Sequence, residues 1–414
     1  MTTQGLLLLI LISICVQLLV YAGVAFFRYW LSYRQIKERD GIADDVMLPG
    51  VPAEAVSAHQ SWTGYRNFRV SRRAYEDAGR AVCSFYLVPV DGKPLPAFLP
   101  GQFLTFGLVI ANPMGGAAKF IVRCYSLSDR HDPDHYRVGI KRMRAASADL
   151  PPGLSSNYFH DQVREGDVLA IKAPSGHFHI DVHGGGPVVL IAGGIGITPI
   201  FSMLNAALAA RQDREVWLFY GVRDGNEIVM RARLDELARK HRNFHLHICF
   251  SRPGPNDVFG RDYRHASRVD IGLLRMELGI KPYHFYICGP APMMETLVPA
   301  LEDWGVPAAR VHYEAFGPAT VSRRATAPEA GPALGVTFSQ SGRRIDWSAG
   351  SLLQLAEVNG VQVESGCRSG CCGACQTTIV SGEVVYQQRP EFEVEPGSCL
   401  LCLAQPSTEL VLAA

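Results

Sequence analysis

The chain has 414 residues, 48% of them hydrophobic, and a formal net charge of +1. That length holds about three domains at roughly 100–200 residues each, and the near-neutral balance excludes bulk polyelectrolyte attraction to nucleic acid. Eleven cysteines are unevenly placed, six of them between Cys367 and Cys402. A disulfide framework would spread them through a small secreted chain, so one dense knot in a long chain points to a metal site in a reducing compartment.

Residues 2–27 carry no charged side chain, and the 23 residues 5–27 are dominated by Leu, Ile and Val. As a helix this run is about 34 Å long at ~1.5 Å per residue, enough to span a bilayer. A signal peptide needs a basic start and a shorter apolar run, and a buried soluble helix is seldom apolar on every face over this length. Arg28, Arg34, Lys37 and Arg39 follow the run, with no Lys or Arg before it, and Trp30 and Tyr33 suit an interface. The sequence therefore predicts a transmembrane anchor and juxtamembrane helix over residues 1–40. By the positive-inside rule this is a single-pass membrane localisation with the bulk of the chain on the cytoplasmic side. Residues 41–61, with Pro49, Gly50 and Pro52, read as a linker.

From Trp62 the pattern changes to short alternating runs: Phe68-Arg-Val70, Cys83-Ser-Phe-Tyr-Leu-Val88, Phe103-Leu-Thr-Phe106, Phe120-Ile-Val122 and Val168-Leu-Ala-Ile171. Close spacing with Gly and Pro between them predicts an antiparallel β-barrel over residues 62–184. Residues 185–317 alternate strand and helix. The strands are Val188-Val-Leu-Ile-Ala192 and residues 215–220, 245–250 and 283–288; the helices are residues 199–210, 231–241 and 291–304. That rhythm predicts an α/β domain with a parallel sheet. Residues 318–333, rich in Ala, Pro and charge, form a second linker, and residues 334–414 carry the cysteine knot.

Cys367, Cys372, Cys375 and Cys402 have the C-x4-C-x2-C…C spacing of a plant-type [2Fe–2S] site. Cys372-x2-Cys375 and Cys399-x2-Cys402 also form two C-x2-C pairs, as in a structural zinc site. Zinc leaves Cys367 unexplained; the iron–sulfur assignment leaves Cys371 and Cys399 unexplained. Two further motifs carry chemistry. In Gly193-Gly-Ile-Gly-Ile-Thr-Pro199, between a strand and a helix, Gly193, Gly194 and Gly196 let the backbone approach a pyrophosphate at a helix N-terminus. Thr198 offers a hydroxyl, and Pro199 suits a first helical turn. In Arg123-Cys-Tyr-Ser126 an arginine can neutralise a phosphate, an aromatic residue can flank a ring, and a hydroxyl can bond a ring nitrogen. Strand alternation puts Arg123 and Tyr125 on one side and Ser126 on the other. Cys83, Cys124 and Cys249 read as buried small hydrophobes. His177, His179 and His183 read as a solvated strand end.

Together these motifs resemble the ferredoxin–NADP reductase superfamily over residues 62–318. Ser365-Gly-Cys-Arg-Ser-Gly and Leu401-Cys402-Leu-Ala-Gln-Pro406 resemble the plant-type ferredoxin family. The resemblance implies FAD held by Arg123, Tyr125 and Ser126, with Ser156 and Asn157 of Gly153-Leu-Ser-Ser-Asn-Tyr-Phe-His160 at its pyrophosphate. It implies a pyridine nucleotide, NADH or NADPH, at the glycine turn. Cys288-Gly289-Pro290 would lie beside the nicotinamide, and Glu314 and Phe316 of Tyr313-Glu-Ala-Phe-Gly-Pro318 near the flavin ring. Ser126 and Cys288 are the candidate catalytic residues. The last domain is implied to be an α+β β-grasp ferredoxin holding [2Fe–2S] on Cys367, Cys372, Cys375 and Cys402.

A hydride donor gives two electrons together and the cluster accepts one, so a flavin belongs between them. The expected function is a membrane-anchored NAD(P)H:acceptor oxidoreductase passing electrons to FAD, to [2Fe–2S] and on to a partner oxygenase, hydroxylase or desaturase. The alternatives are a respiratory NADH:quinone reductase subunit and a zinc-stabilised interaction protein with a vestigial flavin domain. Arg223 after the second parallel strand favours a 2′-phosphate and Asp224 repels one, and the balance leans to NADH.

Overall fold

The alternating runs of the first half form six strands: β1 (Arg66–Tyr75), β2 (Val82–Pro89), β3 (Phe103–Ile110), β4 (Lys119–Ser126), β5 (Tyr136–Lys141) and β6 (Val168–Ser175). They make one antiparallel sheet in the order β4-β3-β6-β1-β2-β5. A bridge between Leu127 and Val138 brings the chain after β4 onto β5, so the two edges of the sheet meet as in a barrel. The computed structural model describes residues 62–111, 118–145, 152–315, 334–368, 370, 372–386, 390 and 392–414.

Phe68, Phe85, Phe106, Tyr136 and Ile171 fill the barrel, each contributing roughly 1.5–3 kcal/mol by burial. Helix α1 (Leu154–Asp161) caps it. Its Phe159 ring packs edge-on against Phe85, Phe106 and Tyr125 at centroid distances of 5.2, 5.4 and 5.2 Å. α1 thereby fixes Tyr125, the central residue of the Arg-x-Tyr-Ser motif.

The second half of the pattern gives β7 (Val188–Gly193), α2 (Ile197–Ala210), β8 (Val216–Val222), α3 (Arg231–Lys240), β9 (Phe244–Phe250), α4 (Ile271–Glu277), β10 (His284–Gly289), α5 (Ala291–Asp303) and β11 (Val311–Ala315). The strands form a parallel sheet in the order β11-β10-β7-β8-β9. Every residue of β7 is buried, the continuous apolar run expected of a strand covered on both faces. Ile200, Phe201 and Leu204 of α2 and Leu234 of α3 pack on one face. Leu274 of α4 and Leu297 and Leu301 of α5 pack on the other.

The last segment contains β12 (Leu334–Phe338), β13 (Arg343–Trp347), α6 (Leu352–Val358), β14 (Gln376–Ser381), β15 (Val384–Tyr386), β16 (Ser398–Leu400), β17 (Ala404–Pro406) and β18 (Leu410–Leu412). A mixed sheet, β13-β12-β18-β14-β16, lies beside the pair β15-β17. α6 starts in a capping box, the Ser351 hydroxyl accepting from the Gln354 N–H while the Gln354 side chain accepts from the Ser351 N–H.

The expected single-pass membrane localisation is corrected. Among the described residues no helix is long and apolar enough to cross a membrane. The longest described, α2, has 14 residues, about 21 Å at ~1.5 Å each, against the roughly 30 Å of a hydrocarbon core. The anchor and linker expected over residues 1–61, the linker 318–333, and Phe316 and Cys371 lie outside the described residues. Membrane localisation therefore has no support from the described structure.

One glycine of the β7 turn is fixed by packing. A Cβ on Gly196 would fall inside the Cys288 carbonyl and 2.9 Å from the Gly289 nitrogen. Gly196→Ala is expected to force the turn off the end of β10, costing about 2 kcal/mol or more. It should also weaken pyridine-nucleotide binding. Thermal unfolding with and without NADH checks this; a stability change within ~0.5 kcal/mol would contradict it.

Candidate functional site

The carboxyl ends of β7 and β10 are adjacent strands' ends in an open parallel sheet, where ligands bind such folds. The glycine turn leaves β7 through Gly193, passes Gly194–Gly196 as a 3-10 turn, and enters α2. Gly194 has φ +53° and would carry its Cβ into open space, so the turn is bare on that side. The Thr198 hydroxyl donates to the Ile195 carbonyl at 3.0 Å, which holds the turn closed, and Pro199 is buried in the first turn of α2.

A cavity of about 470 Å³ opens beside this turn. Arg123, Tyr125 and Ser126 of β4 line one wall, and Ser155 and Ser156 of α1 continue it. Ile195 and Thr198 line a second wall, Glu314 a third, and residues 365–368 of the cysteine loop close the cavity. The Tyr125 hydroxyl is hydrogen-bonded to Ser155 at 2.7 Å, and burial pushes its pKa up to about 12. Ser156 takes an N–H from Met143 at 3.1 Å and donates to the Gly153 carbonyl at 3.2 Å. Asn157 donates to the Gly153 and Met143 carbonyls at 2.8 and 2.9 Å. It stabilises the loop and is not among the cavity's lining residues.

Cys288, Gly289 and Pro290 end β10 and start α5. Cys288 is fully buried, paired in register with Ala192 of β7 and Glu314 of β11. Burial first, and then the Glu314 carboxylate, raise its thiol pKa well above the ordinary value. It stands behind the cavity wall rather than on it. Glu314 is partly buried, with its carboxyl turned inward; desolvation, followed by the charge of Cys367, pushes that carboxyl up to about 8. Its Oε2 has no hydrogen-bond partner among the described residues.

Cys367, Cys372, Cys375 and Cys402 come together. The Cys367 N–H reaches the Cys372 sulfur at 3.2 Å, the Cys372 N–H reaches the Cys367 sulfur at 3.3 Å, and the Ala374 N–H reaches Cys372 at 3.5 Å. The Cys375 and Cys402 thiols stand against each other, and their mutual hydrogen bond is the first cause that lowers Cys375 and raises Cys402. Backbone N–H groups aimed at clustered sulfurs fit a [2Fe–2S] cluster, whose potential such bonds tune. A Cβ on Gly366 would sit 2.7 Å from the Cys372 sulfur, so the loop closes only with glycine there. Cys399 instead lies in the core of the last segment, packed with Leu400 and Leu401.

Several contacts at the site carried no recognisable signal. Lys172 of β6 donates to the Cys372 carbonyl at 2.9 Å across 200 residues, and Arg123 donates to the Ser365 carbonyl at 3.5 Å. Cys124, expected as a plain buried hydrophobe, is only half-buried, and its thiol meets the Cys372 sulfur. Arg368 holds a left-handed φ of +61° and forms a two-pronged ion pair with Glu357 at 2.5 and 2.8 Å. Ser155 has a local signal, standing next to Ser156 in the segment Gly153–His160.

A barrel-like sheet bearing an Arg-x-Tyr-Ser strand, a parallel sheet with a glycine turn and a four-cysteine loop define a flavin-dependent electron-transfer protein. Comparison with known proteins agrees. Residues 190–298 match the oxidoreductase NAD-binding domain and residues 336–407 the 2Fe-2S iron–sulfur cluster binding domain, which sets aside the zinc-stabilised alternative. A flavohemoprotein of Halalkalibacterium halodurans is 40% identical over 64% of this chain and 63% of its own length. One of Chromobacterium violaceum is 37% identical over 68% of each. The chain thus spans about two thirds of these relatives' lengths. A solved structure of phthalate dioxygenase reductase, described as a modular structure for electron transfer from pyridine nucleotides to [2Fe–2S], is 28% identical. It covers 85% of this chain and 98% of its own, with a TM-score of 0.50. The chain belongs to the oxidoreductase family of these flavohemoproteins, and besides its NAD-binding domain it carries a 2Fe-2S iron–sulfur cluster binding domain. Its cofactors are FAD, a [2Fe–2S] cluster and NAD(P)H.

Proposed function

We propose that the chain is the reductase component of an oxygenase-type system, taking electrons from NADH and delivering them singly to a separate oxygenase, hydroxylase or desaturase. One observation carries this reading: residues 365–368 of the cysteine loop wall the same cavity as Arg123, Tyr125 and Ser126. No intervening carrier is needed between a flavin in that cavity and the cluster. FAD when bound supplies the conversion of one hydride into two single-electron transfers. The residues around it position and insulate. Arg123 and Tyr125 hold the flavin, Ser126 offers a hydroxyl at its ring, and Ser155 and Ser156 face its polar tail. Gly193, Gly194, Gly196 and Thr198 receive the nucleotide pyrophosphate, and buried Cys288 backs the nicotinamide pocket by packing. Cys367, Cys372, Cys375 and Cys402 ligate iron. In domain terms, residues 62–184 serve the flavin, 185–317 the nucleotide and 334–414 the cluster. The likeness to phthalate dioxygenase reductase across 85% of the chain supports the same division.

Anaerobic mixing with NADH tests the proposal: flavin bleaching should precede cluster reduction, with no added mediator. A cluster that stays oxidised while the flavin is reduced would refute it. Lys172→Met removes the charged contact to the Cys372 carbonyl. It is expected to slow the flavin-to-cluster step about tenfold, the loss of roughly 1.4 kcal/mol from a charge-assisted bond, while leaving NADH:ferricyanide activity unchanged.

The nucleotide preference follows from charge. The Arg223 guanidinium is committed to Glu227 at 2.8 Å, and Asp224 accepts from the Asn226 N–H at 2.9 Å, fixing a carboxylate beside it. Two carboxylates around one engaged arginine disfavour a 2′-phosphate. NADH is expected to exceed NADPH in kcat/KM by at least about tenfold. Glu227→Gln, which frees Arg223, should narrow that ratio. Equal use of both nucleotides by the native protein would contradict the assignment.

A further inference from the structure

The parallel sheet carries a cluster of ligand-type side chains at the opposite side from the flavin cavity. β9 is the edge strand of the order β11-β10-β7-β8-β9, whereas the cavity takes Glu314 from β11 and the turn after β7. His247 lies in the middle of β9 on the face covered by α4. The loop after β9 returns His265 alongside Cys249 as a parallel bridge. There its carbonyl accepts the Phe250 N–H at 2.9 Å and its own N–H reaches the Ile248 carbonyl at 3.2 Å. Glu277 is the last residue of α4. Three separate pieces of chain thus bring one donor each to one place.

We propose that His247, His265 and Glu277 form a structural site for a divalent transition cation of the zinc type, clamping α4 and the returning loop to the edge strand. The His247 Nδ1 is 2.9 Å from the His265 Nε2. Glu277 oxygens lie 3.9 Å from His247 Nδ1 and 3.7 Å from His265 Nε2. Zinc bound to imidazole nitrogen and carboxylate oxygen at ~2.0–2.2 Å in tetrahedral geometry needs donor separations of roughly 3.3 Å, and leaves a fourth position for water. The observed separations bracket that value. The two imidazole planes are within 6° of each other, and the nitrogens, now at hydrogen-bond distance, need to part by only a few tenths of an ångström to reach the tetrahedral spacing.

The surroundings hold the donors ready. The His247 side chain is 2% exposed, His265 12% and Glu277 20%, and the Phe219 and Trp217 rings stand 4.7 and 5.4 Å from His247. Burial first, and Arg264 and His265 after it, bring the His247 pKa down to about 3; burial also lowers His265. Burial thus favours the neutral imidazole at both positions, the form that ligates metal. Neither supplies a positive charge to Glu277, whose ionic neighbour Arg264 is exposed and 3.9 Å away, a weak partner in water. A divalent cation would satisfy all three groups.

The test uses the untagged full-length holoprotein, dialysed against metal-free buffer and titrated with Zn2+. Iron and flavin are counted before and after. The expected result is one zinc per chain at roughly micromolar affinity or tighter, with cluster iron and FAD retained and an upward shift of the thermal transition. His265→Ala and Glu277→Gln should each weaken zinc binding at least tenfold and abolish the zinc-dependent thermal shift, with NADH:ferricyanide activity unchanged. Glu277→Gln, nearly isosteric, decides the matter if His265→Ala does not fold. Absence of zinc uptake by the native protein at micromolar free zinc, or native affinity in Glu277→Gln, overturns the proposal and leaves a hydrogen-bonded His–His–Glu cluster.

Discussion

Cys372→Ser is expected to abolish the EPR signal of the reduced cluster and to lower single-electron delivery to cytochrome c by more than about 100-fold, since even outer-shell losses at metal sites cost 10–100-fold. NADH:ferricyanide activity, which needs only the flavin, should survive. Cys372 is 3% exposed and accepts N–H groups from Cys367 and Ala374. Its thiol pKa is raised, first by its hydrogen bond with Cys124 and then by that with Cys367. Thiols this close cannot all ionise unless a cation compensates them, and in the proposed assignment iron is that cation. Cys399→Ser is the matched control. Cys399 is fully buried, and burial lifts its pKa to about 12, so it is a neutral thiol in a packed core. Its replacement should cost about 1–2 kcal/mol of stability through a buried hydroxyl and leave the EPR signal intact. Loss of that signal in Cys399→Ser, or its survival in Cys372→Ser, would overturn the ligand assignment. The outcome is read by EPR with iron counted per chain.

The parts of this molecule that were legible in the sequence are those whose determinants are local. β7 is buried on both faces, so it reads as an unbroken apolar run, and its turn must be glycine because Gly196 sits against the Cys288 carbonyl. The cysteine spacing is visible because three of the four proposed ligands lie within nine residues. α1 is hard to see in the sequence for a physical reason: its N-cap is Gly153, with no side-chain cap, so the usual start signal is missing. α4 did carry a signal, the Asp270 carboxylate accepting from Leu273 N–H, but seven residues are too few for a clear helical period. The contacts that turn two adjacent modules into one site are non-local. Lys172 with Cys372, Arg123 with Ser365, and Cys124 with Cys372 join residues more than 190 positions apart. No pattern within either segment encodes them. Cys288 shows the same limit in reverse: its motif was plain, but only the packing of β10 between β7 and β11 reveals that its side chain is shut away from the cavity.

The second large effect concerns Glu314. Burial, followed by the charge of Cys367, raises its pKa from 4.5 to about 8. Below the unfolded value of 4.5 the carboxyl is protonated in both states and contributes no pH dependence. As pH rises from 4.5 towards 8 the unfolded chain releases its proton while the folded chain keeps it. The folded state then binds more protons, and its stability falls with pH until the folded group also ionises. At one pKa unit per 1.36 kcal/mol the accumulated penalty is on the order of a few kcal/mol. Glu314→Gln removes the titration while keeping shape and a hydrogen-bond donor. The variant should therefore match the native protein in thermal stability near pH 4.5 and exceed it increasingly up to pH 8, the gap levelling off above that. Parallel melting curves across the range would contradict the assignment. The same proton has a functional side. Glu314 lines the cavity together with Ser126 and Thr198, and its raised pKa favours a proton-bearing carboxyl over a negative charge there near neutral pH. NADH oxidation by the native protein should decline as pH rises through about 8, where that carboxyl ionises and repels incoming negative charge. In Glu314→Gln the decline should be absent, with the rate at pH 7 held within a few-fold of native. Glu314→Ala, which loses both the proton and the packing, should be slower at every pH. That ordering of the three proteins separates a carboxyl that manages charge in the cavity from one that merely fills space, since a filler would let Gln and Ala behave alike across pH.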